Sequence, residues 1–259
     1  VPASKWNQML QDKGYNATPV WNSLARWITE RASTESVWAM RLLTYIDLAL
    51  LILMFLAVWR TFGLRVMLFA IIFYGTNYFM SFVHIKGAFM RLDWVTLLVV
   101  AACLIHTKWY KTAGVLAAYA GMARIFPMIF LFGLGAKTGF NVLGVMYDRL
   151  RRRETATTLN RDYINFFAAF AAGSLLMVLL SAWYDGGFQL WRSFFEKIAI
   201  HNADISTTRV GFKYIFLWSV TNKAQYFADH QITWRIYTGI ALLIAAFLMR
   251  RTDDYETIP

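Results

Sequence analysis

An arginine and an aspartate stand two positions apart in Gly87-Ala-Phe-Met-Arg-Leu-Asp-Trp94, between two strongly apolar runs. Three other stretches carry charge in apolar surroundings: Met122-Ala-Arg-Ile-Phe-Pro127, Phe195-Glu-Lys-Ile-Ala-Ile-His-Asn-Ala-Asp204 and Thr207-Thr-Arg-Val-Gly-Phe-Lys213. Of the basic residues in and beside these stretches, the candidates to hold a phosphate are Lys86, Arg91, Arg124, His201 and Arg209. Arginine matches phosphate through paired hydrogen bonds, and cations stabilise the charge that grows on a departing phosphate. Asp93 is the candidate for orienting Arg91, or for taking the proton of an acceptor hydroxyl. The chemistry these types suit is the binding of a lipid phosphate and the transfer of a group from it.

Plainer readings stand beside this one. Arg91 and Asp93 neutralise each other in a local ion pair, Arg124 extends to a lipid headgroup, and His201 is an interfacial histidine. His201 and Asp204, at i and i+3, suit a metal on a helix, but two ligands fall short of a site, so no cofactor is expected. Asp47 reads as a hydrogen-bonded residue of a helix bundle. Cys103 stands alone in an apolar run, which excludes an intrachain disulfide and fits a small buried hydrophobe. The sequon Asn16-Ala-Thr18 matters only in a secretory setting. Walker loops, dinucleotide turns, HExxH and GxSxG motifs are absent from the sequence.

The elements that must position these residues are membrane helices. Of the 259 residues 58% are hydrophobic and 16% charged, with a mean hydropathy of +0.43, whereas a soluble domain carries about 25% charged residues. Net charge is +11. The basic residues lie between apolar runs and form no soluble domain, which argues against nucleic acid as a partner. A bilayer core of about 30 Å takes roughly 20 apolar residues as a helix. Seven runs qualify, some of them short: Leu42–Trp59, Val66–Val83, Trp94–Ile105, Thr112–Phe126, Pro127–Tyr147, Ile164–Tyr184 and Thr233–Met249. Trp94–Ile105 is short enough that it borrows length from its flank or sits inside the bundle. Pro127 divides what is otherwise a single overlong run.

With seven spans, the basic groups at Arg60 and Arg65, Lys108 and Lys111, Arg149–Arg161, and Arg250 and Arg251 all fall on one side, which the positive-inside rule makes cytoplasmic. Residues 1–41, the 84–93 and 124–127 corners and an external loop over 185–232 fall on the other. Within that loop Phe212–Trp218 reads as an interfacial amphipathic piece. The expected fold is therefore all-α and polytopic: an external segment over 1–41, then a transmembrane domain over 42–259. Asp47 and Arg124 are the ionisable residues counted within spans, too few for a transporter's polar pathway.

Three places, in order, carry a family resemblance. They are Gly87–Trp94 opening a short apolar span, the small-residue run Ala113–Pro127 ending in a basic residue and a proline, and Phe194–His201 followed by Arg209-Val-Gly-Phe212. Together they cover about half of the chain. The sequence resembles the multi-spanning C-type glycosyltransferases that use polyprenyl-phosphate sugars, in the branch of phosphatidylinositol-mannoside mannosyltransferases. The resemblance implies a helical fold in the bacterial inner membrane, an external active site, a polyprenyl-phosphate sugar donor, a lipid or cell-envelope acceptor and an inverting transfer. The family's catalytic acid lies in the first external loop, after the first helix. Asp12, Glu30 and Glu35 match no such motif, so the chain is expected to be an internal fragment with its general base upstream of residue 1. The competing expectation is a non-catalytic membrane subunit that packs against other membrane proteins or binds anionic lipid.

Overall fold

The computed structural model describes residues 17–33, 35–76, 89–151, 158–203 and 220–257, with the side chains at 200–203 and 224 left aside. Of these residues 83% are helical, and none lies in a strand. Ten α-helices follow in order: α1 Pro19–Thr29, α2 Val37–Phe62, α3 Leu64–Thr76, α4 Asp93–His106, α5 Tyr110–Ala123, α6 Phe132–Leu150, α7 Arg161–Tyr184, α8 Gln189–Ala203, α9 Lys223–Asp229 and α10 Gln231–Met249. Short 3₁₀ turns precede α6 at Phe126–Leu131 and follow α10 at Tyr255–Thr257.

Local chemistry sets the boundaries. Thr18 and Ser36 cap α1 and α2 by accepting from the amides of Trp21 and Ala39, both at 3.3 Å, which satisfies orphan donors of the first turn. Gly63, at φ 88°, ends α2 in a conformation only glycine adopts freely. After α5 the backbone of Arg124 is extended, and Pro127 opens the 3₁₀ turn. The expected break at Pro127 is thus present, and the chain reverses there. Met128 faces Gly121, while Tyr110 and Lys137, far apart in sequence, reach the same carboxylate.

Of the seven expected spans, four are matched by helices long and apolar enough to cross a membrane among the described residues: Val37–Phe62, Phe126–Leu150, Arg161–Tyr184 and Gln231–Met249. The 14-residue α4 and α5 reach only about 21 Å at 1.5 Å per residue, and α3 has 13 residues. Residues 77–83, the rest of the expected second span, lie outside the described residues. So do 1–16 with their sequon, Lys86, Asp204, Arg209 and 212–218. The external segment and loop of the sequence reading are not plain coil: α1 occupies the first, and α8 and α9 lie in the second.

The short helices form the interior. Leu98, Ala101 and Ile105 of α4 pack with Tyr110, Ala113, Ala117 and Ala120 of α5, Leu134 of α6 and Phe166 of α7. Glycine and alanine along α5 admit its neighbours closely. A Cβ on Gly114 would run into the backbone of Phe166, and one on Gly173 of α7 would lie 3.3 Å from Ala118 Cβ. Close approach of this kind is how helices associate without a hydrophobic driving force. The long α10 and the short α3 instead turn apolar surface outward: Leu243 of α10 is 72% exposed and Phe69 of α3 is 78% exposed.

Candidate functional site

The Arg124 end of α5 gathers residues from four helices. Asp47, wholly buried in α2, accepts backbone N–H bonds from Arg91 at 2.9 and 3.2 Å and from Leu92 at 3.0 Å. These bonds hold the turn before α4, in which Met90 sits at φ 47°, uncommon for a residue with a Cβ. Asp47 is therefore the hydrogen-bonded bundle residue expected from the sequence, and its partner is the backbone of the charged stretch. The side chain of Arg91 is exposed beyond this turn.

Asp93, in the first turn of α4, is 3% exposed. The Tyr119 hydroxyl of α5 donates to its Oδ2 at 2.7 Å. Its Oδ1 is buried and takes no hydrogen bond among the described residues. Asp93 thus turns inward to Tyr119 and does not orient Arg91; that anchoring falls to Asp47.

Arg124 is half-buried, and its guanidinium lies over the ring of Trp21, 5.3 Å from the centroid. The Trp21 indole N–H donates to the Met90 carbonyl at 3.0 Å. One tryptophan therefore joins the turn that carries Arg91 to Arg124. The Thr18 hydroxyl bonds the Met122 carbonyl and, at 3.4 Å, the Ala123 carbonyl, which closes the last turn of α5 against the start of α1. Phe126 packs edge-on to Trp94 at 4.6 Å.

The far end of α1 is tied to α7. Tyr184 donates to Glu30 at 2.6 Å, and Ser23 bonds Asp185 at 2.5 Å. Arg26 pairs with Glu30 at 2.7 Å and with Asp185 at 3.7 Å. The Tyr184 hydrogen bond first, and the Arg26 pair second, hold the Glu30 carboxyl below its ordinary value. Between α1 and α7 runs an open groove of about 370 Å³, lined by Val20, Leu24 and Trp27 of α1, Met177 and Leu180 of α7, and Tyr119. The residue at its inner end is the one bonded to Asp93.

Of the residues singled out in the sequence, Arg91, Asp93 and Arg124 meet at this corner. Lys86 and Arg209 lie outside the described residues. His201 lies near the end of α8, at a position where side chains are not described. Among the described residues no three His, Cys, Asp or Glu side chains form a metal-holding group. Sequence reasoning missed Trp21, Thr18 and Tyr119. The run Thr18-Pro-Val-Trp21 carried a usable signal, because a threonine before a proline opens a helix. Tyr119, the one polar residue in an alanine-rich run, carried another.

No family model matches this chain, and no curated protein and no solved structure was found to be similar to it.

Proposed function

We propose that the chain is an integral membrane protein that holds the phosphate of a polyprenyl lipid at the Arg124 corner, on the external face. In this reading it works there as a glycosyltransferase of the C type. The observation that supports it best is the convergence at Trp21: one indole joins the Arg91 turn to the Arg124 guanidinium, beside a buried carboxylate with an unbonded oxygen. Arg124 and Arg91 supply cations for the phosphate, and the lipid tail follows the apolar groove beside α1. Asp93 Oδ1 accepts the proton of an acceptor hydroxyl. The acceptor oxygen bonds to the sugar's anomeric carbon as that carbon's bond to the phosphate oxygen breaks. The phosphate leaves with the electron pair, and the configuration inverts. The positive-inside assignment supports the external placement, because it puts the basic stretches at the opposite end. The plasma membrane of a bacterium is the setting this implies.

The test uses the purified chain in nanodiscs. Native mass spectrometry with a polyprenyl phosphate, and with the matching neutral polyprenol, measures selectivity for the anion. Arg124→Ala should weaken phosphate binding by about ten- to a hundredfold, from about 1.5–3 kcal/mol per charged hydrogen bond, and leave the protein folded. Equal binding of the alcohol and the phosphate sinks the reading. A second reading, a non-catalytic subunit that packs against other membrane proteins, draws on α3, where no residue is buried. Selective binding without transfer from a polyprenyl-phosphate hexose to any supplied acceptor favours that reading.

A further inference from the structure

At the opposite end of α5 a second carboxylate is enclosed by the chain's own C-terminal segment. After α10 the backbone turns back over the bundle, and Asp254 is met by three donors. These are the Tyr110 hydroxyl of α5, the Tyr163 hydroxyl of α7 at 2.9 Å and the Lys137 ammonium of α6 at 2.7 Å. Lys137 also donates to the Thr252 carbonyl. It lies within an apolar helix and is 9% exposed. Beside Asp254 the Tyr255 ring packs on His106 of α4 at 4.7 Å and on Phe62 of α2 at 5.4 Å. Thr257 is buried over Gly133 of α6, where a Cβ would stand 2.7 Å from Thr257 Cβ. Six residues, Thr252–Thr257, thereby touch five helices.

We infer that Lys137, Tyr110 and Tyr163 form a receptor for one carboxylate, that Asp254 fills it in cis, and that Thr252–Thr257 is a clasp that opens when this carboxylate is withdrawn. Three features separate a clasp from an ordinary buried tail. The segment has a single helical turn, too short to hold itself. Arg251, Thr252, Asp253 and Glu256 around it are exposed, so most of its polar attachment passes through one side chain. A polar cavity of about 300 Å³ adjoins the site, lined by His106, Lys108, Lys137, Asp253 and Asp254. Such a cavity admits water to the Lys137 ammonium, so withdrawing the carboxylate does not strand the charge in an apolar interior. A buried ammonium aligned with two hydroxyls accepts any small carboxylate by the same bonds.

The experiment is thiol labelling in nanodiscs, with Thr257→Cys placed in a Cys103→Ala background. With Asp254 present, position 257 should be protected. Asp254→Ala should raise the labelling rate about tenfold or more. Sodium formate should return it towards the protected rate in a saturable way that sodium chloride at equal ionic strength does not reproduce. Lys137→Met added to Asp254→Ala should abolish the formate response. Equal rates with and without Asp254 overturn the clasp, because packing of Tyr255 and Thr257 then holds the segment alone. Rates raised by Asp254→Ala but indifferent to formate overturn the receptor. Should Asp254→Ala not fold, Asp254→Asn decides: its single amide oxygen keeps one tyrosine bond, its NH2 faces the other hydroxyl, and Lys137 loses its anion. An intermediate rate supports the proposal, and an unchanged rate overturns it.

Discussion

Asp93, buried, and Asp254, half-buried, are carboxylates served by two tyrosines of one helix, Tyr119 and Tyr110, about 14 Å apart along α5, and their surroundings differ in one respect. Asp254 is met by an ammonium and two hydroxyls, while Asp93 has a single hydroxyl on Oδ2 and an Oδ1 without a hydrogen bond among the described residues. A buried charge costs stability unless it is paired and fully bonded. On the proposed function, the carboxylate left half-satisfied is the one that meets a ligand. Asp47, a third carboxylate, belongs with Asp254, since three N–H bonds from the Arg91 turn saturate it. Asp47 and Asp254 hold elements of the bundle together, and the proposal assigns the ligand to Asp93.

The largest expected effect breaks or keeps this division directly. Asp93→Asn should lower glycosyl transfer by about 10²–10⁴-fold, the usual contribution of a general base, with little change in thermal unfolding. Asp254→Asn should do the reverse, lowering stability while the activity per folded molecule persists. If the two substitutions act alike in both assays, the contrast between the sites is false.

Next in size, Lys137→Ala should cost up to about 3 kcal/mol, the low end for an ion pair broken by removing one partner, because water in the adjoining cavity reaches the carboxylate left behind. Denaturant unfolding in micelles measures this. The double change Lys137→Met with Asp254→Leu removes both charges together and should recover most of the loss. If it does not, the pair is not what the cluster contributes.

The tyrosines sharpen the comparison. Tyr119→Phe should destabilise by about 1.5–3 kcal/mol, because its hydroxyl is a hydrogen bond to a charged group and Asp93 has none to replace it. Tyr163→Phe should cost less, since Lys137 and Tyr110 remain on Asp254. Equal losses in the same unfolding assay would show that the saturation of Asp254 gives it no margin.

The smallest effect is acid sensitivity. Burial pushes the Asp254 carboxyl up, but the hydrogen bonds from Lys137, Tyr110 and Tyr163 outweigh it and hold the group below its ordinary 3.8. A carboxyl lowered on folding adds stability above its unfolded value and loses it as pH falls through the folded one. Protection at position 257 should therefore be flat from neutral pH down to about 4 and fail only below. A loss centred well above pH 4 would show that Asp254 is not the group responsible.

Much of the scaffold was legible in the sequence. Apolar runs of the right length marked the four long helices, Pro127 marked the reversal between α5 and α6, and Cys103 read correctly as a small buried hydrophobe. The shortness of α4 left two readings open, borrowed length or a place inside the bundle, and its packing shows the second. Lys137 was missed, because it lies beyond the small-residue run that drew attention to Arg124, although a lysine inside an apolar span is itself a signal. The role of the segment after α10 was not legible, because Asp254 and its partners stand 91 to 144 residues apart. Sequence separation of that order carries no periodicity by which to find a contact.

What the sequence determined by itself is the set of helices and the placement of charge at their ends, since these follow from hydrophobic runs, caps and prolines within a few residues of one another. Which carboxylate would be saturated and which left open was decided by tertiary structure alone. Tyr119 and Tyr163 are the same residue type on neighbouring helices, and only the packing of α5 against α4, α6 and α7 determines how many donors reach each aspartate.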